Sequence, residues 1–188
     1  MAAPMTRGAN VALTREIPTL RRLVVGVFWN AGAERVLEDN LVLATILCDA
    51  SSKALSPEHF VFFNQLTTPD ESVSQLESAL QGDKEQVEID LPDVPPEVAR
   101  IVVVVYLNDG TAQRRTLGQL REMAVVVREA PSYRELVRSE NLAPAFTNET
   151  AVVLGEVYRN GRDWKFKVLG DGYATGISGI AGDYGLPL

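Results

Sequence analysis

Apolar positions along the chain fall in short runs rich in Val and Ile, each closed by turn-forming residues, which predicts strands rather than helices. Segments 20–29 (LRRLVVGVFW), 41–49 (LVLATILCD), 59–63 (HFVFF), 86–91 (QVEIDL), 101–109 (IVVVVYLND) and 123–129 (MAVVVRE) share this pattern. In QVEIDL, Val87, Ile89 and Leu91 alternate with Glu88 and Asp90, so one face is expected dry and the other wet. IVVVVYL is apolar on both faces, which predicts a central strand covered twice. Segment 150–170 reads as a hairpin reversing at Asn160-Gly161, with Val153, Val157, Trp164, Phe166 and Val168 on its buried face. Helical signals are few. PPEVAR (95–100) places proline at a helix start, TLGQLREM (116–123) suits a turn or two, and glycine-spaced YATGISGIAGDYG (173–185) suits a short packed helix.

This series predicts an all-β (mainly β) fold, a two-sheet β-sandwich with a few short helices. A chain of 188 residues supports one sizeable core. Neither a Pro/Gly/Ser-rich linker nor an internal repeat divides it, so residues 1–188 are expected to form a single domain, the first few residues being a flexible tail.

Charge and composition narrow the partners. The net charge is −7, and the basic pairs Arg21-Arg22 and Arg114-Arg115 are isolated, which argues against nucleic acid. The longest apolar runs are seven residues, far below the roughly 20 that span a bilayer, so no membrane insertion is expected. The N-terminal stretch MAAPMTRGAN lacks the apolar core of a signal peptide, and Cys48 is the only cysteine. A reducing, cytoplasmic setting is expected.

The inventory gives catalysis little to work with. His59 is the single histidine and sits at a strand entrance, while Cys48 lies in an apolar run where a free thiol behaves as a small hydrophobe. One Cys and one His cannot build a four-ligand zinc site. Glycines 170, 172, 176, 179 and 182 do not match a nucleotide-binding spacing, and no pair of carboxylates is singled out for glycosidase-type chemistry. A non-enzymatic protein is expected.

Oxygen-bearing side chains remain. FVFFNQLTTPDESV (60–73) runs from four apolar residues into Asn64, Gln65, Pro69, Asp70 and Glu71, and Asp39-Asn40 and Asp83 with Glu85 flank other predicted strands. Calcium takes 6–8 oxygens from such groups, and loops meeting at one end of a sandwich would supply them. Asn, Asp and Gly in these positions also suit plain turns, and pattern alone favours that reading because no fixed-spacing loop such as an EF-hand is present.

Several longer motifs, in order, carry a resemblance: RGANVALT, LVVGVFWN, FVFFNQLTTPDESV, GDKEQVEIDL, VPPEVARIVVVV and NETAVVLGEVYRNGRDWKFKVLGDGYATGISGIAGDYG. Over nearly its whole length the chain resembles the TerD-like tellurium-resistance and stress proteins of bacteria. The resemblance implies a β-sandwich binding calcium at one end, without established catalysis. Its implied partners are other proteins of a stress and tellurium-resistance system, extending to peripheral complexes at the membrane. Carried onto this sequence, the implied ligands are Asn64, Gln65, Asp70, Asp83 and Glu85, with Asn40 retaining a neutral oxygen. One segment departs: the family's Asp-Leu-Asp is here Asn40-Leu41-Val42, which removes two carboxylates, and Asp39 or Glu38 could substitute only through a shifted register. Calcium binding is therefore expected to be weak or absent. The expected role is an interaction scaffold with a degraded metal site; the alternative is a working calcium sensor, and an enzyme acting on a tellurium oxyanion ranks last because a lone Cys48 supplies no redox pair.

Overall fold

The computed structural model describes residues 4–108 and 114–187. Residues 1–3 of the expected N-terminal tail and the predicted strand end at Asp109 lie outside the described residues. Among the described residues, eleven strands form two antiparallel sheets. The six-stranded sheet has the order β1 (Asn10–Ala12), β11 (Asp163–Tyr173), β10 (Ala151–Asn160), β7 (Arg100–Leu107), β3 (Leu41–Cys48), β4 (Phe60–Val61). The five-stranded sheet has the order β5 (Val73–Gln75), β6 (Glu85–Asp90), β2 (Arg22–Asn30), β8 (Glu122–Ala130), β9 (Arg134–Arg138). Two short α-helices, α1 (Arg35–Glu38) and α2 (Gly176–Asp183), complete the regular structure together with single 3-10 turns.

Alternation builds the core. Leu23, Val25, Val27 and Trp29 of β2, Val87 and Ile89 of β6, and Ile101, Val103 and Val105 of β7 all point between the sheets. The other face of the six-stranded sheet is also dry. Val42, Ala44, Ile46, Val102, Val104 and Val153 lie there beneath Ile180 and Ala181 of α2. Burying one such Ile contributes about 2 kcal/mol, which is how a short glycine-rich helix stays docked. This second layer explains why β3 and β7 carry apolar residues on both faces, Thr45 and Arg100 apart.

Several expectations change in detail. HFVFF yields only the two-residue β4, because Phe62 and Gln65 exchange backbone hydrogen bonds in a tight reversal. PPEVAR forms no helix; a 3-10 turn precedes it at Leu91–Asp93, and Val98 N–H bonding to Pro95 O leaves only a turn beyond. TLGQLREM is reduced to the 3-10 turn Leu117–Gln119. The hairpin closes one residue later than predicted: Asn160 pairs with Asp163, so Gly161 and Arg162 are the turn, with φ of +65° at Gly161. Val153 faces α2 instead of the main core, since a bulge between Val153 and Gly155 inverts the alternation and gives the inner places to Val152 and Leu154.

Registers define two ends. At one, β2 and β7 finish while β3 and β6 begin; at the other, β2 and β7 begin, β6 finishes and the β10–β11 hairpin turns back.

Candidate functional site

Acidic residues gather where β6 begins. Asp83 sits just before the strand, and its side chain is only 2% exposed. Its Oδ1 accepts Nη2 of Arg128 at 3.0 Å, and its Oδ2 accepts Nε of Arg128 at 3.3 Å and Nε2 of Gln86 at 2.8 Å. Arg128, on the outward face of β8 and 5% exposed, also lies 4.0 Å from Glu135. The carboxylate can enter this space because β2 carries Gly26 beside it; a Cβ there would collide with Oδ2 of Asp83.

Glu38, the last residue of α1, is matched by its own cation. Lys84 Nζ lies 2.8 Å from Oε1, while Ala31 N–H donates to Oε2 at 2.7 Å. Glu85 turns the other way and crosses between the sheets, where its Oε2 accepts Leu43 N–H at 2.5 Å. Burial pushes the Glu85 carboxyl above its ordinary range, and the Leu43 amide only partly opposes this.

The remaining candidates do not join them. Asn40 donates from Nδ2 to Val36 O at 2.7 Å, tying off the end of α1. Val42 is in the apolar layer beneath α2. Asp39 is held by Arg35 at 3.8 Å on the exposed side of α1. Gln65 donates from Nε2 to Pro57 O and Phe60 O, closing the turn after β4, and Asn64 is exposed at that turn. Asp70 lies in the reversal before β5, whose Val73 pairs with Ile89, so it belongs to the far end of β6. With about 3.3 Å of rise per residue, β6 alone separates it from Glu85 by well over a calcium coordination shell. Although burial raises the Asp70 carboxyl, hydrogen bonds from Ser72 and Thr68 hold it below its ordinary value.

The donor set therefore does not fit a calcium ion. Calcium needs 6–8 converging oxygens, whereas Asp83 and Glu38 are already countered by Arg128 and Lys84, and Asp70 stands at the opposite end. Among the described residues no three His, Cys, Asp or Glu side chains form a metal-holding group. The sequence reading missed Arg128 and Lys84. An Arg inside the run MAVVVRE was the available signal, since a charge in an otherwise apolar strand needs a buried partner.

The other two chemistry-bearing residues are quiet. Cys48 is fully buried, and burial pushes its thiol up to about 12, so it remains a core thiol. His59 Nδ1 pairs with Ser56 Oγ at 2.7 Å within a 3-10 turn.

Comparison with known proteins agrees with this architecture. The family model described as the TerD domain matches residues 1–184. General stress protein 16U of Bacillus subtilis (strain 168) is 36% identical over 191 residues, covering 99% of this chain and 98% of that protein. Tellurium resistance protein TerD of Serratia marcescens is 31% identical over 190 residues, with 99% and 98% covered. The crystal structure of a homologue of telluride resistance protein (TerD) from Streptomyces coelicolor A3(2) superposes with a TM-score of 0.63 at 22% identity, covering 86% of this chain and 95% of that one. With that fold, and with the family model running over almost the whole sequence, the chain belongs to the TerD family.

Proposed function

We propose that this protein serves bacterial stress and tellurium resistance as a non-enzymatic cytoplasmic scaffold, its calcium site having been degraded. The stress role follows from relatives named for general stress and tellurium resistance that align end to end with it. The loss of the metal rests on one observation: both oxygens of Asp83 are engaged, by the Arg128 guanidinium and the Gln86 amide, so an internal cation takes the place a bound ion would have. Partners are other proteins of the same resistance system, recognised through the rigid sandwich surface.

Thermal melting with calcium and then with chelator tests the metal half. A ligand at 100 times its Kd adds about 2.7 kcal/mol to the native state, roughly 5–10 °C for a chain this size. The expected result is no shift, and calorimetric titration showing micromolar binding overturns the reading in favour of a calcium sensor. For the scaffold half, a tagged chain is captured with its partners from tellurite-stressed cells. The same partners should be retained with chelator present; their loss on chelation counts against a metal-independent scaffold.

A further inference from the structure

At the end opposite the acidic cluster a cavity of about 520 Å³ opens between the β10–β11 hairpin and the segments before β2 and after β6. Its apolar wall includes Pro18, Leu20, Pro92 and Pro96, and Arg159 and Arg162 supply its cations.

Arg159 is fixed in place. Its Nε donates to Val98 O at 2.7 Å, and its Nη2 to Val94 O and Pro95 O at 3.1 Å each. The guanidinium carbon stands 4.2 Å from the centre of the Trp164 ring. All these partners are neutral. Nη1 meets no acceptor among the described residues, and burial lowers the pKa of this guanidinium, as expected of a cation without a counter-charge.

Arg162 occupies the hairpin apex because the turn falls at Gly161-Arg162, and it forms no ion pair or hydrogen bond among the described residues. Asp163 lines the same cavity, yet its Oδ1 accepts the Thr14 hydroxyl at 3.2 Å and bridges to neither arginine. Nor do Asp93 and Glu97, which flank the lining residues in sequence, pair with either cation.

We infer that this cavity is a binding site for a small organic anion, its phosphate or carboxylate head received by Nη1 of Arg159 and the guanidinium of Arg162, its apolar body lying on the proline and leucine wall. One fixed charged donor, Nη1 of Arg159, beside the unengaged guanidinium of Arg162 suits either head group, and the volume falls within the range of small-molecule sites and exceeds what a bare inorganic anion fills. This goes beyond the scaffold role and shares no residue with the acidic end, so either reading can fail alone.

Amide-resolved NMR titration of the whole chain with phenyl phosphate, benzoate and inorganic phosphate, each against sodium chloride of equal ionic strength, tests it. Saturable movement of the Arg159, Arg162 and Trp164 signals at millimolar ligand is expected with phenyl phosphate or benzoate, the tighter of the two identifying the head group. Arg162→Gln should weaken that binding about tenfold, and Arg162→Lys should restore part of it. Arg162 is exposed, so unchanged signals elsewhere in the spectrum verify that the variant stays folded. Absence of saturable movement with any probe, an equal response to chloride, or unchanged affinity in Arg162→Gln overturns the site. Equal affinity for inorganic phosphate and phenyl phosphate overturns the role of the apolar wall.

Discussion

The two ends of the sandwich handle charge in opposite ways. At the start of β6, carboxylates and cations neutralise each other within the fold: Asp83 with Arg128, Glu38 with Lys84. At the β10–β11 hairpin, Arg159 is held by three carbonyls and a ring face, and Arg162 is held by nothing among the described residues. An end that has satisfied its own charge has little reason to recruit an ion. One that has a preset cation without an anion keeps an electrostatic demand that a ligand can meet.

The largest test of this contrast is at Asp83. Asp83→Ala leaves Arg128 buried with only Glu135 at 4.0 Å, and should cost about 3 kcal/mol in denaturant unfolding, as breaking buried pairs does. Adding Arg128→Met should return most of that loss. If the double variant is no better than the single, the pair is not acting as a self-contained unit.

A smaller loss is expected from Arg159→Ala at the other end. Three carbonyls lose a donor and Trp164 loses the cation on its face, together about 2 kcal/mol. Here no second substitution on a carboxylate should rescue stability, because no carboxylate partner exists among the described residues. Rescue by Asp163→Ala would show a hidden ion pair and erase the distinction between the two ends.

The smallest effect has the opposite sign. The folded-state pKa of Glu85 is raised, so the native state holds that proton more tightly than the unfolded chain does. In acid, below the ordinary glutamate range, both states are protonated and the group contributes nothing. As pH rises through the raised pKa the native state must carry a charge its surroundings resist, and stability falls. Glu85→Gln should therefore melt like the parent in acid and higher than it near neutrality. A variant that melts lower at neutral pH would mean that the Leu43 hydrogen bond outweighs burial.

Much of the architecture was legible because β2, β3, β6, β7, β8, β10 and β11 are long enough to show their period. The three-residue strands β1 and β5 are too short to show one. In β9 (RELVR) only Val137 is buried, so no dry face is written into it. The hairpin turn moved by one residue because Asn160 still pairs across to Asp163 while Gly161 takes the positive φ. Site residues were harder to place. Asn64, Gln65 and Asp70 follow β4 closely in sequence, but whether they face Asp83 depends on which end of β6 the β5 reversal reaches. That is a matter of strand register between distant segments, and local pattern does not encode it. The Arg128–Asp83 pair was hidden for the same reason, since 45 residues separate its members.

The position of Glu85 also bears on how the short edge strand leaves β3 satisfied. Strand β4 covers β3 only at Thr45 and Ile46, so the buried Leu43 amide needs another acceptor. The Glu85 oxygen seated on the Leu43 amide supplies it, so a side chain from the opposite sheet does there what a neighbouring strand would otherwise do.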